Sequence, residues 1–171
     1  MRQSPKNSYE SFIIEGREFT LNRRVLIELL EASLAKGVPL RFIVRGFSMS
    51  PFIKDGDIIT VSNLNKKSLI PGIIVIFKRA YASGLAVHRI VARKKGSYLI
   101  KGDNLFNADG WVSQENIIGY VAQVERKGKK VLWGIKRGGH LVALMSRARL
   151  LGYLLYLWRL IPLRLRKAIG L

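Results

Sequence analysis

The chain has 171 residues, 49% of them apolar, which fits one folded domain with a sizeable core and a small appendage. It has no cysteine, which excludes disulfides, thiolate metal sites and cysteine nucleophiles while leaving the redox compartment open. Thirty Lys and Arg against eleven Asp and Glu give a formal charge of +19, a balance that points to a polyanionic neighbour, either nucleic acid or lipid phosphates.

The first residues, MRQSPKNSYESFIIEGREFT, lack the apolar run of a signal peptide or N-terminal anchor. No later run reaches the ~18–20 apolar residues of a spanning helix. Met1 to Ser11 is polar and is expected to fray. From Asn22 to Lys36, Val25, Leu26, Leu29, Leu30 and Leu34 recur at helical spacing, with Asn22 as N-cap and Gly37 as stop. This amphipathic helix reads as core packing without chemistry of its own.

After Pro39 the texture turns to short β-prone runs. They are Leu40–Arg45, Ile58–Val61, Gly72–Lys78, Ala86–Ala92, Tyr98–Lys101 and a hairpin from Ile117 to Trp133 that turns at Arg126-Lys127-Gly128-Lys129. Six or more short strands at close spacing predict a mainly β, α+β domain with a coiled, barrel-like antiparallel sheet over residues 39–135. Residues 1–38 form an N-terminal extension with the helix.

Residues 136–171 carry no acidic side chain. Leucines and aromatics alternate there with Arg147, Arg149, Arg159, Arg164, Arg166 and Lys167, and Pro162 interrupts the pattern. That composition describes a basic helical tail lying in the plane of an anionic membrane surface. The alternative is a helical pair packed on the β-domain. So much leucine argues against a nucleic-acid arm. On the membrane reading, deleting 136–171 is expected to free the protein from anionic vesicles and leave the rest intact.

Three separated segments bear the chemistry. The first is Gly46-Phe47-Ser48-Met49-Ser50-Pro51, followed by Asp55-Gly56-Asp57. The second is Val87-His88-Arg89-Ile90, and the third is Lys101-Gly102-Asp103-Asn104 with Asp109 beyond it. A serine hydroxyl attacks only when a base within hydrogen-bond reach takes its proton. The chain has two histidines, and His88 sits inside an apolar strand, an odd place for an imidazole that only packs. Asp103 and Asp109 are both candidates to orient it. A Ser, a His and an Asp drawn from different segments would make a hydrolytic constellation.

These segments resemble the boxes of signal peptidase I-like serine peptidases and their LexA-like self-cleaving relatives. GFSMSPFIKDGDIITV is similar to the nucleophile box, and its Ser-Met maps the nucleophile onto Ser48. PGIIVIF resembles the strand that follows, with Ile73 where an aspartate is usual. AVHRIV resembles the second box in its histidine form, the archaeal and endoplasmic-reticulum type, which makes His88 the general base. YLIKGDNLFNADG resembles the third box, in which Asp109 matches the acid and Asp103 an accompanying aspartate. IIGYVAQV resembles the closing strand, so the likeness runs over roughly residues 40–125 in the right order.

The resemblance implies a serine endopeptidase acting on signal or leader peptides, with a peptide or preprotein as partner and no metal or organic cofactor. Gly46 stands where many signal peptidases carry an oxyanion serine, which implies a hole built mainly of backbone N–H groups, that of Ser48 included. Gly46, Phe47 and Met49 would border the oxyanion hole and substrate cleft. The basic tail would hold the enzyme peripherally on a membrane, with no nucleic acid expected. Two other classes fit the same residues: a LexA-like self-cleaving regulator, and an inactive membrane-associated binding module.

Overall fold

The computed structural model describes residues 9–14, 17–64, 69–79, 84–135, 137–148, 150, 153 and 157. Two strands, β1 (Tyr9–Ile14) and β2 (Arg17–Asn22), open the fold as a hairpin. Residues 9–11, expected to fray, are thus paired through Tyr9↔Asn22 to Ser11↔Thr20, and Phe12 and Ile13 also pair with Phe42 and Arg41. Helix α1 (Arg23–Ala35) follows, and Gly37 closes it at a φ of 74°. Leu26, Leu30 and Leu34, each four residues apart, are buried against the sheet. Leu29 packs beside them, but Val25 lies 46% exposed, one position off the stripe.

The remaining strands are β3 (Leu40–Ile43), β4 (Ile58–Ser62), β5 (Ile74–Lys78), β6 (Leu85–Lys94), β7 (Ser97–Lys101), β8 (Gly110–Ser113), β9 (Ile117–Arg126) and β10 (Lys129–Lys130). They form one antiparallel sheet in the order β2-β1-β3-β4-β9-β5-β6-β7-β8, with β10 on β9. The expected barrel-like closure is not found: the order begins at β2 and ends at β8, and no described strand joins the two. An antiparallel sheet with helices, an α+β fold, does stand. Register shifts at Thr60/Val61, Ile76/Phe77 and Ile90/Ala92 bend it, because each bulge sharpens the local twist.

Strand β5 explains why its sequence reads as an unbroken apolar run. Ile74 and Ile76 enter one core with α1, while Val75 and Phe77 enter a second with Ile90 and Ile100. Both faces are buried, so no polar alternation remains. The hairpin turn falls where expected, with Lys127 at φ 49° and Gly128 at φ 75°.

Contacts cross the boundary expected after residue 135. Helix α2 (Gly139–Arg147) packs on β6 and buries Gly139, Val142, Ala143 and Ser146, and Val142 shares a small core with Phe52. The buried ammonium of Lys101, at the end of β7, donates to the Ser146 carbonyl at 2.8 Å. Over 139–147 the tail therefore follows the alternative reading and docks on the β-domain. Arg149, Arg159, Pro162, Arg164, Arg166 and Lys167 lie outside the described residues. Among the described residues no helix is long and apolar enough to cross a membrane.

Candidate functional site

Ser48 sits in the chain reversal between β3 and β4. The turn is pinned from below: Met49, Phe52 and Ile53 are buried, and the Met49 carbonyl accepts from the N–H groups of both Phe52 and Ile53. Its entry requires glycine, because Gly46 has a φ of 103°, a conformation that side chains disfavour. Asp55 Oδ1 accepts the Gly46 N–H at 2.8 Å. Asp57 accepts the Lys54 N–H at 2.8 Å and, at 2.9 and 2.7 Å, the guanidinium of Arg126. The Lys54-Asp55-Gly56-Asp57 segment thus shapes the loop that presents Ser48.

His88 lies mid-strand in β6, opposite Val75 of β5, and is 1% exposed. It shares its face with Ala86 and Ile90, and its ring lies 6.1 Å from that of Phe77. An imidazole so enclosed needs partners for both nitrogens. Nε2 lies 2.9 Å from Ser48 Oγ, and Nδ1 lies 2.7 Å from Asp109 Oδ2. Both contacts are satisfied when Nδ1–H donates to the carboxylate and Nε2 accepts the Ser48 hydroxyl. Asp109 comes from the loop before β8, whose backbone is fixed by the Asp109 N–H on the Ile100 carbonyl at 2.9 Å. The residue is exposed along that loop, but its side chain is only 15% accessible.

The two candidate aspartates separate cleanly. Asp103 does not orient His88; it is turned inward onto Arg89, with Oδ1 on Nε at 2.8 Å and Oδ2 on Nη2 at 2.7 Å. Arg89, fully buried, also donates through Nη1 to the carbonyls of Gly72 and Gly134 at 2.8 and 2.7 Å, and lies over the Phe52 ring. Burial pushes the Asp103 carboxyl up from its ordinary value of 3.8, against the downward pull of the Arg89 hydrogen bonds and charge.

Three contributors went unassigned in the sequence. Asn104 donates its backbone N–H to the Ser48 carbonyl at 2.8 Å and its side-chain Nδ2 to the Phe47 carbonyl at 3.0 Å. Gly102 lets the loop come this close, since a Cβ there would stand 2.8 Å from the Ser48 carbonyl oxygen. Arg89 ties the strand of His88 to the Asp103–Asn104 loop. Their signal was adjacency alone: each lies inside the second or third box, next to a residue with an assigned role.

A cleft of about 140 Å³ opens over the pair, with Gly46, Ser48, Met49 and His88 among its lining residues. Phe47 is 68% exposed and not part of that lining, whereas Met49 serves both cleft and core. The cleft runs between residues 42–46 and 85–88. Strand β6 pairs with β7 only from Arg89 onward, so no described strand covers that edge of residues 85–88. Among the described residues no group of three or more His, Asp or Glu side chains is arranged to hold a metal ion.

The geometry can do one kind of chemistry well: draw a proton from a serine hydroxyl through an imidazole whose tautomer a carboxylate holds. No protein-family model, curated protein or solved structure matches the chain, so the relay and the motif resemblance carry the functional reading.

Proposed function

We propose that the chain is a serine endopeptidase of the signal-peptidase type, acting on signal or leader peptides. The observation that carries this reading is the unbroken relay from Ser48 Oγ to His88 Nε2 at 2.9 Å and from His88 Nδ1 to Asp109 Oδ2 at 2.7 Å.

Ser48 Oγ attacks the scissile carbonyl carbon while His88 Nε2 takes the hydroxyl proton. The carbonyl electron pair moves to oxygen, where the N–H of Ser48 can donate, since that of Gly46 is engaged by Asp55. Collapse breaks the C–N bond, and His88 returns its proton to the departing amine. Water then attacks the acyl ester with His88 again as base, releasing the acid and restoring Ser48. Asp109 holds the imidazole's tautomer and offsets its transient charge. The substrate lies extended along the uncovered edge of residues 85–88, adding main-chain hydrogen bonds as a further strand, with small side chains beside the cut.

The same proposal keeps the protein peripheral at an anionic membrane, through the basic segment beyond α2. Each basic residue near the surface contributes about 1 kcal/mol at most.

The test is cleavage of signal and leader peptides, with membranes present, by wild type, Ser48→Ala and His88→Ala. Specific cleavage abolished by both substitutions is expected. Cleavage that survives Ser48→Ala would sink the proposal.

A further inference from the structure

We infer that the cleft selects a peptide bearing an acidic side chain close to the bond Ser48 attacks, held by Arg45 and Arg79. This deepens the peptidase reading and rests on it.

The two arginines stand at opposite ends of the relay. Arg45 immediately precedes Gly46 at the Ser48 end, and Arg79 follows β5 at the Asp109 end. Both line the cleft, and no Asp or Glu does so among the described residues. Among the described residues each has one acidic neighbour, at a distance too long for a hydrogen bond: Arg45 Nη1 lies 3.9 Å from Asp55 Oδ2, and Arg79 Nε lies 4.0 Å from Asp109 Oδ1. Those carboxylates make their short bonds elsewhere, Asp55 to the Gly46 N–H at 2.8 Å and Asp109 to His88 at 2.7 Å. Among the described residues each guanidinium, with a planar fork of donors, is therefore left without a close acceptor at the cleft wall.

Exposure agrees with a recognition role. The Arg45 and Arg79 side chains are 58% and 44% accessible, open enough to meet a ligand yet set beside a walled cleft. An extended chain laid along residues 85–88 sends alternate side chains to opposite faces, so successive positions can be read by different walls. A carboxylate there gains charge-assisted, bidentate bonds. A lysine in the same place meets like charge, and specificity arises from both terms. The net charge of +19 adds steering of acidic peptides towards the protein.

The experiment uses the full chain and a peptide series identical except for a single Glu, Gln or Lys walked along both sides of the scissile bond. Cleavage is read for wild type, for the Arg45→Gln, Arg79→Gln double variant and for the Arg45→Glu, Arg79→Glu double variant. At one or more positions Glu should be favoured over Gln by about fivefold, Lys being worst. The preference should vanish in the Gln double variant and turn towards Lys in the Glu double variant. Fluorescence anisotropy of the same peptides on Ser48→Ala reads the same order without turnover. Equal handling of Glu and Gln at every position, or a preference that survives in the Gln double variant, overturns the inference and leaves the peptidase reading standing. Absence of cleavage together with an unreactive Ser48 removes the peptidase reading, and the anisotropy series then decides the acidic preference by itself.

Discussion

Arg89 follows His88 in the chain, and its guanidinium closes on both oxygens of Asp103, at 2.8 and 2.7 Å, in a pair with no solvent access. Strand β6 and the loop that clamps the Ser48 turn are thereby held to each other. A buried pair of this kind is weak as a stabiliser, since both ions lose their hydration, and the raised Asp103 carboxyl reports that loss. Removing either partner alone leaves a charge stranded, so Arg89→Met and Asp103→Leu are each expected to destabilise by about 3–5 kcal/mol. The double variant should recover much of that and still lose activity through a loosened Asn104. The sign of the pH effect follows from the raised value. The Asp103 contribution is complete below its unfolded value of 3.8 and declines as pH rises through the folded one. Wild type should therefore lose stability relative to the double variant over that rise. Denaturant unfolding across the acid range checks both points.

Asp109 and Asp103 should respond differently to the same change. Asp109→Asn keeps the volume at His88 but favours the wrong imidazole tautomer, so on the proposed chemistry kcat should fall by about four orders of magnitude. Its folding stability should shift by less than that of Asp103→Leu, because the Asp109 loop is exposed. Paired rate and unfolding measurements would refute the division of roles if Asp109→Asn retained most of its rate.

Much of this was legible beforehand, and the misses have physical causes. Helix α1 declared itself because Leu26, Leu30 and Leu34 share one face, and β5 because a strand buried on both sides reads as IIVIF. The opening of β1 was hidden by Tyr9, Glu10 and Ser11, polar residues whose pairing uses backbone groups that side-chain patterning does not report. Helix α2 misled through its outer face: Leu141 and Leu144 are 53% and 65% exposed, and they mask a buried face of Val142, Ala143 and Ser146. His88 was legible as an imidazole out of place in an apolar strand, and Ser48 through the likeness of its Ser-Met to the nucleophile box. The residues by themselves left Asp103 and Asp109 open, with only the resemblance ranking Asp109 first, because the choice depends on which way the loop after β7 turns. Asn104 acts partly through its backbone N–H, which leaves no mark on residue type.

The Gly102–Ser48 approach gives a sharp steric test. In Gly102→Ala the new methyl would meet the Ser48 carbonyl oxygen at 2.8 Å and the Leu105 side chain at 2.8 Å. Relief requires a shift of the Ser48 turn, so a loss of about 1–3 kcal/mol is expected, as for other overpacked sites. Activity should fall further than stability alone explains. Asn104→Ala is milder: it removes the bond to the Phe47 carbonyl, worth about 1 kcal/mol, while its backbone N–H still reaches Ser48. If Gly102→Ala matched wild type in thermal midpoint and rate, the close approach would have no functional weight.

Truncation has to respect where α2 packs. Cutting after residue 135 removes the Ser146 carbonyl that Lys101 donates to, a charge-assisted bond worth about 1.5–3 kcal/mol, and uncovers Phe52 by taking away Val142, worth about 1.5–3 kcal/mol more. The Gly134 carbonyl bonded to Arg89 would then lie one residue from a frayed end. That deletion should weaken the site as well as any membrane attachment, contrary to the expectation from the sequence. Cutting after Ala148 keeps α2 and its contacts while removing Arg149, Arg159, Arg164, Arg166 and Lys167. The longer product should keep the wild-type unfolding midpoint and lose binding to vesicles containing anionic lipid, read by co-sedimentation. Retained vesicle binding after the second cut would move membrane attachment onto the folded domain itself.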